Sequence, residues 1–257
     1  MSEMVAINPL QALRSLTPAR IALGRTGHSL PTKAQLDFSL AHAQARDAVH
    51  VALDVNEVAQ QLATTGHKYV VVQSAATDRE EYLRRPDRGR QLNEASCLLL
   101  RTRASGTRAD LVFVIADGLS ATATMRHAVP VLNALRQHLA TELLAPIVVA
   151  TQARVGLGDE IGALMRAEQV VMLIGERPGL SSPDSLGIYL TYAPRVGRTD
   201  AERNCISNIR PAGLNYQQAA CRLALLIQGA RRLGLSGVAL KDESSNAEEP
   251  EILVHRP

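Results

Sequence analysis

Tryptophan is absent from these 257 residues, and only two phenylalanines and five tyrosines occur. The core must therefore be aliphatic, and mechanisms built on base stacking or aromatic cages are disfavoured. No apolar run reaches the about 18 residues that a membrane span requires. No basic n-region followed by an apolar stretch opens the chain, so a secretory leader is not expected. Cysteine is scarce, odd in number and widely spaced: Cys97, Cys205 and Cys221. That usage fits reduced thiols and gives no zinc or redox motif. Cys97 and Cys221 fall in apolar helical patterns and read as core residues. Cys205 reads as part of a polar loop, residues 203–208.

Lysine is also rare. Only Lys33, Lys68 and Lys241 occur, and the remaining cations are arginines. A net charge of +3 is too small to point to a nucleic acid. Arginine suits protein interfaces through planar, bidentate pairing, although a GC-rich genome would give the same bias. The densest charged stretch, residues 78–90, mixes both signs. It reads either as a solvated ion-pair loop or as a docking surface.

What is present is a length that can bury a sizeable core, with 46% hydrophobic residues. Residues 1–66 read as an N-terminal helical segment. A short helix is expected at 9–16, capped by Asn8, and longer ones at 32–50 and 56–65. Leu36, Leu40, Ala43 and Ala48 lie near one face of the second. Residues 67–241 then read as an α/β domain. β-Branched or continuous apolar runs at 68–73, 111–116, 146–150, 170–174 and 188–192 predict strands, several of them buried on both faces. Helical patterns at 90–104, 120–141 (with a break near Pro130), 159–168 and 216–233 lie between and after them. The alternation predicts a doubly wound, mostly parallel sheet. The acid-rich tail, 242–257, is expected to be disordered.

Ligands of open α/β sheets bind beyond the carboxyl ends of the strands, and three loops qualify. Asp117-Gly118-Leu119-Ser120 leaves a strand and enters a helix. Its amides could hold a phosphate or an amide oxygen, or the loop could serve only as a helix cap. The stretch 154–162, with Gly156, Gly158 and Gly162, resembles a dinucleotide fingerprint with Glu176 as the ribose acid. The fit is imperfect, because Gly156 follows its strand at a distance and Asp159 and Glu160 would face the phosphate. Glu176-Arg177-Pro178-Gly179-Leu180 is a rigid turn that would expose Glu176 at the ligand rim, unless an arginine pairs with it. The seven histidines show no metal-ligand spacing. No nucleophile elbow or phosphate-binding Gly-Lys-Ser/Thr motif occurs. Good ligand loops without an acid, base or nucleophile set read as half of an active site.

Five ordered stretches carry a resemblance: 16–27, Tyr82-Leu83-Arg84-Arg85-Pro86-Asp87-Arg88-Gly89-Arg90, Asp117-Gly118-Leu119-Ser120, Gly175-Glu176-Arg177-Pro178-Gly179-Leu180 and Asn204-Cys205-Ile206-Ser207-Asn208-Ile209. Over roughly residues 8–241 the chain resembles the small (light) subunit of ethanolamine ammonia-lyase, an adenosylcobalamin-dependent enzyme. The resemblance implies a hetero-oligomer with a large (heavy) subunit whose barrel binds most of the small-molecule substrate. Neither a nucleic acid nor a membrane is implied as a partner. It places cofactor contacts at Val155, Glu176 and Cys205, with no catalytic residue in this chain. The implied chemistry is radical: the cobalt–carbon bond breaks homolytically, and ethanolamine becomes acetaldehyde and ammonia. The Asp-x-His-x-x-Gly motif of other cobalamin proteins is missing here as in the family, which implies no protein ligand to cobalt.

Family members often carry an extension before the region of Asn8 and Pro9, where seven residues stand here. A location in the cytoplasm or in a bacterial microcompartment is therefore left open. The competing reading is a self-sufficient, Rossmann-like NAD(P)-binding oxidoreductase.

Overall fold

The computed structural model describes residues 8–104, 108–139 and 144–241. The acidic tail at 242–257 lies outside the described residues. After a 3₁₀ helix, Pro9–Leu16, come α1 (Thr32–His50) and α2 (Val55–Thr64). Then follow β1 (Tyr69–Gln73), α3 (Arg79–Arg84), α4 (Glu94–Arg103), β2 (Ala109–Ala116) and α5 (Ala121–Leu135). The chain continues as β3 (Ile147–Thr151), α6 (Leu157–Leu164), β4 (Ala167–Gly175), β5 (Leu186–Tyr192), β6 (Arg203–Ile209) and α7 (Tyr216–Leu233). No helix among the described residues is long and apolar enough to cross a membrane.

The six strands form one sheet in the order β1-β3-β2-β4-β5-β6. The first four are mutually parallel, while β5 and β6 are antiparallel to their neighbours. All but one residue of β2 are buried, as its unbroken apolar run requires of a strand covered on both faces. One face packs on α2, α5 and α7 through residues such as Leu62, Leu132, Leu223 and Ile227. The other packs on α4 and α6 through Leu100, Leu157 and Ile161. The sheet is thus doubly wound, as the strand and helix alternation predicts.

Local chemistry sets the helix ends. Asn215 caps α7 by accepting from the Gln218 amide at 2.9 Å, and left-handed Gly234 ends that helix. Asp54, Asp78 and Asn93 cap α2, α3 and α4 in the same way.

Several expectations need correction. Residues 203–209 are an edge strand, not a loop. Helix α5 runs unbroken through Pro130, because Ala128, Val129, Val131 and Leu132 are buried around it and that packing outweighs one lost hydrogen bond. Cys221 is exposed and Cys97 half-buried. The expected apolar face of α1 is not covered either: Leu36 and Leu40 are 63% and 61% exposed, and only Ala41 and Ala48 of that helix are buried.

Candidate functional site

The chain leaves β2 toward α5 on one face and β3 toward α6 on the other, so a crevice is expected between their carboxyl ends. Asp117 closes it. One carboxylate oxygen accepts from the amides of Gly118 (2.9 Å) and Ala153 (2.9 Å), and the other from the amide of Gln152 (2.8 Å). Arg79 lies 3.4 Å from that second oxygen and donates to the Gly118 carbonyl at 2.8 Å. Burial pushes the Asp117 carboxyl up, while the amides and Arg79 oppose the shift. The loop thus does more than cap a helix: it ties the end of β2 to the loop after β3. Gly118 has φ +56°, and a Cβ there would stand 2.2 Å from the Gly175 carbonyl oxygen. Only glycine permits this approach of β2 to β4.

Beyond this latch the surface opens into a groove. One cavity of about 420 Å³ is lined by Tyr82, Gly118, Val155, Gly175, Glu176 and Tyr189, among others. A second of about 1020 Å³ adjoins it and shares Arg154, Val155, Arg177 and Tyr189. A third, of about 690 Å³, lies at the opposite end of the sheet beside His67, Lys68 and Ile147, remote from these loops.

Val155 and Glu176 therefore meet in one groove. Glu176 leaves β4 and accepts through Oε2 from the Ser185 hydroxyl and from the Asn208 amide at 3.2 Å. Among the described residues its Oε1 accepts nothing. That oxygen sits 3.1 Å from where a Cβ on Gly187 would stand, so glycine makes room for it. Among the described residues, the arginine pair weighed for Glu176 does not form. Cys205 does not line either cavity but lies one strand away, paired in register with Tyr189. Its thiol stands beside the Tyr189 hydroxyl, and burial, with that thiol, pushes the tyrosine's pKa up. Tyr189 itself lines both cavities. No motif marks it, and only its place opposite Cys205 on the uncovered edge of the sheet reveals it.

The groove wall holds further residues without a sequence signature. The buried Tyr82 ring lies between the guanidinium groups of Arg79 and Arg154, 4.7 and 4.2 Å from its centroid. Its hydroxyl donates to the Ala153 carbonyl at 3.2 Å. Among the described residues, Arg154 Nε and Gln152 Oε1 are buried with no partner, and Gln152 has a left-handed backbone, φ +55°. Across the groove, the Thr199 amide foremost, then Arg198, hold the Glu202 carboxyl down to about 2. In the 78–90 stretch the ion-pair reading applies in part. Arg84–Glu80 and Arg85–Asp87 are exposed ion pairs, whereas Arg79, Tyr82 and Arg90 turn toward the site.

The fingerprint-like acids are engaged elsewhere. Asp159 is buried against Arg203. Glu160 accepts from the Leu92 amide at 2.7 Å and lies 3.5 Å from the Cys97 thiol. Residues 152–155 loop around Asp117 instead of placing Gly156 at the strand end. The dinucleotide reading is not favoured. Among the described residues, no three His, Cys, Asp or Glu side chains are grouped to hold a metal ion.

Comparison with known proteins gives a consistent result. The family described as ethanolamine ammonia-lyase light chain (EutC) matches residues 7–241. The ethanolamine ammonia-lyase small subunit of Pseudomonas putida (strain GB-1) is 59% identical over 241 residues, covering 92% of this chain and 89% of that one. The small subunit of Pseudomonas syringae pv. tomato (strain DC3000) is 57% identical over 241 residues, covering 92% and 84%. That of Pseudomonas aeruginosa (strain LESB58) is 57% identical over 243 residues, covering 93% and 89%.

Proposed function

The chain belongs to the ethanolamine ammonia-lyase light-chain family, and from that premise we propose that its groove holds one side of adenosylcobalamin within a complex completed by a large subunit. The observation that carries this reading is the free Oε1 of Glu176 in the groove that Val155 also lines. A corrin is rimmed by amides, each offering N–H donors and a carbonyl acceptor. Glu176 supplies an acceptor for the former. Arg154, which lines both cavities, supplies guanidinium donors for the latter. These residues fit such a group. Val155 adds apolar and backbone contact, and Tyr189 on the groove wall stands in register with Cys205 on the next strand.

When bound, the cofactor supplies radical chemistry by homolysis of its cobalt–carbon bond, which starts the release of ammonia from ethanolamine. This chain's own residues position and enclose. Asp117 fixes the floor, and Ser185 and Asn208 aim Glu176. Substrate-binding and reacting groups belong to the large subunit in this reading.

The uncovered N-terminal segment supports a partner. Leu10, Leu13, Leu16, Leu36, Phe38 and Leu40 are all exposed in the isolated chain, and exposed apolar surface of this kind suits a protein interface. The test is reconstitution. This chain alone is expected to turn over nothing. With its large subunit and adenosylcobalamin it is expected to release acetaldehyde from ethanolamine. Full activity of the large subunit without this chain would overturn the proposal.

A further inference from the structure

The larger cavity is lined by five arginines: Arg90, Arg154, Arg177, Arg198 and Arg203. Two of them are neutralised. Arg203 pairs with Asp159 and Asp200, and Arg198 with Glu202. The other three are not. Among the described residues, Arg90 and Arg177 make no ion pair or hydrogen bond through their side chains. Arg154 donates from Nη2 to the Tyr82 carbonyl at 3.2 Å, but its Nε is buried with no partner. Glu160, the remaining acid of this cavity, is turned back onto Leu92 and Cys97.

The three arginines are brought together by the backbone. The Arg154 amide donates to the Gly89 carbonyl at 2.8 Å, which places Arg90 beside the loop after β3. Arg90 then crosses Gly156, its Cγ 3.4 Å from where a Cβ on that glycine would stand. Arg177 follows Glu176 directly and lines both cavities. The start of α6 is not the attracting group. The amides of Leu157, Gly158 and Asp159 are already bonded to the carbonyls of Arg154, Val155 and Gly156. The positive charge comes from guanidinium groups, which suit tetrahedral oxyanions through paired N–H donors.

We propose that Arg90, Arg154 and Arg177 form a subsite for a phosphodiester, namely the single phosphate in the nucleotide loop of the cobalamin that the preceding section assigns to this groove. The inference rests on that assignment. Its geometry is economical: Glu176 faces corrin amides in the smaller cavity, and the arginines lead from the shared wall into the larger one. A neutral amide rim and an anionic tail thus meet an acceptor and a cationic patch in turn.

The test uses the complex of this chain with its large subunit and measures bound corrinoid by visible absorbance after equilibrium dialysis. Three ligands are compared: cyanocobalamin, cobinamide phosphate, and cobinamide, which has neither phosphate nor base. The variant R90Q/R177Q alters two side chains that make no ion pair or hydrogen bond among the described residues, and elution of its complex by gel filtration at the wild-type position reports assembly. The expected result is about a tenfold or greater loss of affinity for cyanocobalamin and cobinamide phosphate. Cobinamide affinity should stay within about twofold, and R90K/R177K should recover part of the loss. Higher salt should weaken the two phosphate-bearing ligands more than cobinamide. An equal loss for all three ligands, or no loss for cyanocobalamin, overturns the subsite while leaving the corrin assignment standing. Failure of the wild-type complex to bind any of the three overturns the corrin assignment, and the subsite with it.

Discussion

Arg203 closes on Asp159 as a two-pronged ion pair, with N–O distances of 2.6 and 2.7 Å and side chains 3% and 4% exposed. It joins β6, the edge strand carrying Cys205, to α6, the helix that follows Val155. Arg203 also donates to the Thr191 hydroxyl at 2.9 Å and to the Arg198 carbonyl at 3.0 Å.

Removing one partner of such a pair leaves the other charge buried, at a cost of about 3–5 kcal/mol. Asp159→Ala is therefore expected to lower the unfolding free energy by about that amount. Arg203→Met/Asp159→Leu should recover part of it, since no lone charge remains. Urea denaturation of the purified chain measures both. A loss in the double variant as large as that in Asp159→Ala would contradict the cost of the lone buried charge.

This pair also explains why β6 is hard to read from sequence. Arg203-Asn204-Cys205-Ile206-Ser207-Asn208-Ile209 looks polar, yet Arg203, Ile206 and Ile209 are buried. Arg203 is buried because Asp159 neutralises it, a partner 44 residues away. Asn204 is satisfied by the backbone of Gly237 and Leu240. Contacts so distant leave no local periodicity. The parallel strands were legible for the opposite reason: burial on both faces writes itself as an unbroken apolar run, as in β2. Helix α7 was equally legible, with a cap, a stripe and a terminal glycine in one continuous segment. Of the candidate groove, Glu176 was legible at a strand end, whereas Val155 was singled out by the resemblance alone and lines the same groove. Tyr189 was not legible, because its role depends on the pairing of β5 with β6.

Gly118→Ala should be severe for a small change. The new methyl would meet the Gly175 carbonyl at 2.2 Å on a backbone with φ +56°. Strain and overlap together should cost about 2–4 kcal/mol. Thermal denaturation of the variant checks this. An unchanged melting temperature would contradict the close approach of β2 and β4.

Acid should weaken the fold through His127. Burial lowers its pKa from the ordinary 6.5, and Arg126 adds to this, while the Asp184 carboxylate only partly opposes it. The native ring binds its proton less readily than the unfolded one. Stability is then full above pH 6.5 and falls as pH drops through that value toward the lower native pKa. His67, lowered by burial and by Arg136, acts in the same direction. His127→Gln should flatten the decline between about pH 7 and 5. A pH–stability profile identical to wild type would remove His127 from this account.

The N-terminal helix should govern assembly. Leu36 and Leu40 lie one turn apart on α1 and are mostly exposed. Leu36→Glu/Leu40→Glu is expected to leave the isolated chain folded and to reduce co-purification with the large subunit at least about tenfold, as loss of a buried apolar anchor does. Retention of the complex at wild-type yield would place the interface elsewhere.

The central claim is that this chain supplies part of a corrin site through Glu176. Equilibrium dialysis of cyanocobalamin against the large subunit alone, the complex, and the complex carrying Glu176→Ala tests it most directly. The account predicts tight retention by the wild-type complex, about a tenfold or greater loss with Glu176→Ala, and weaker retention still by the large subunit alone. Equal affinity in all three samples would contradict it.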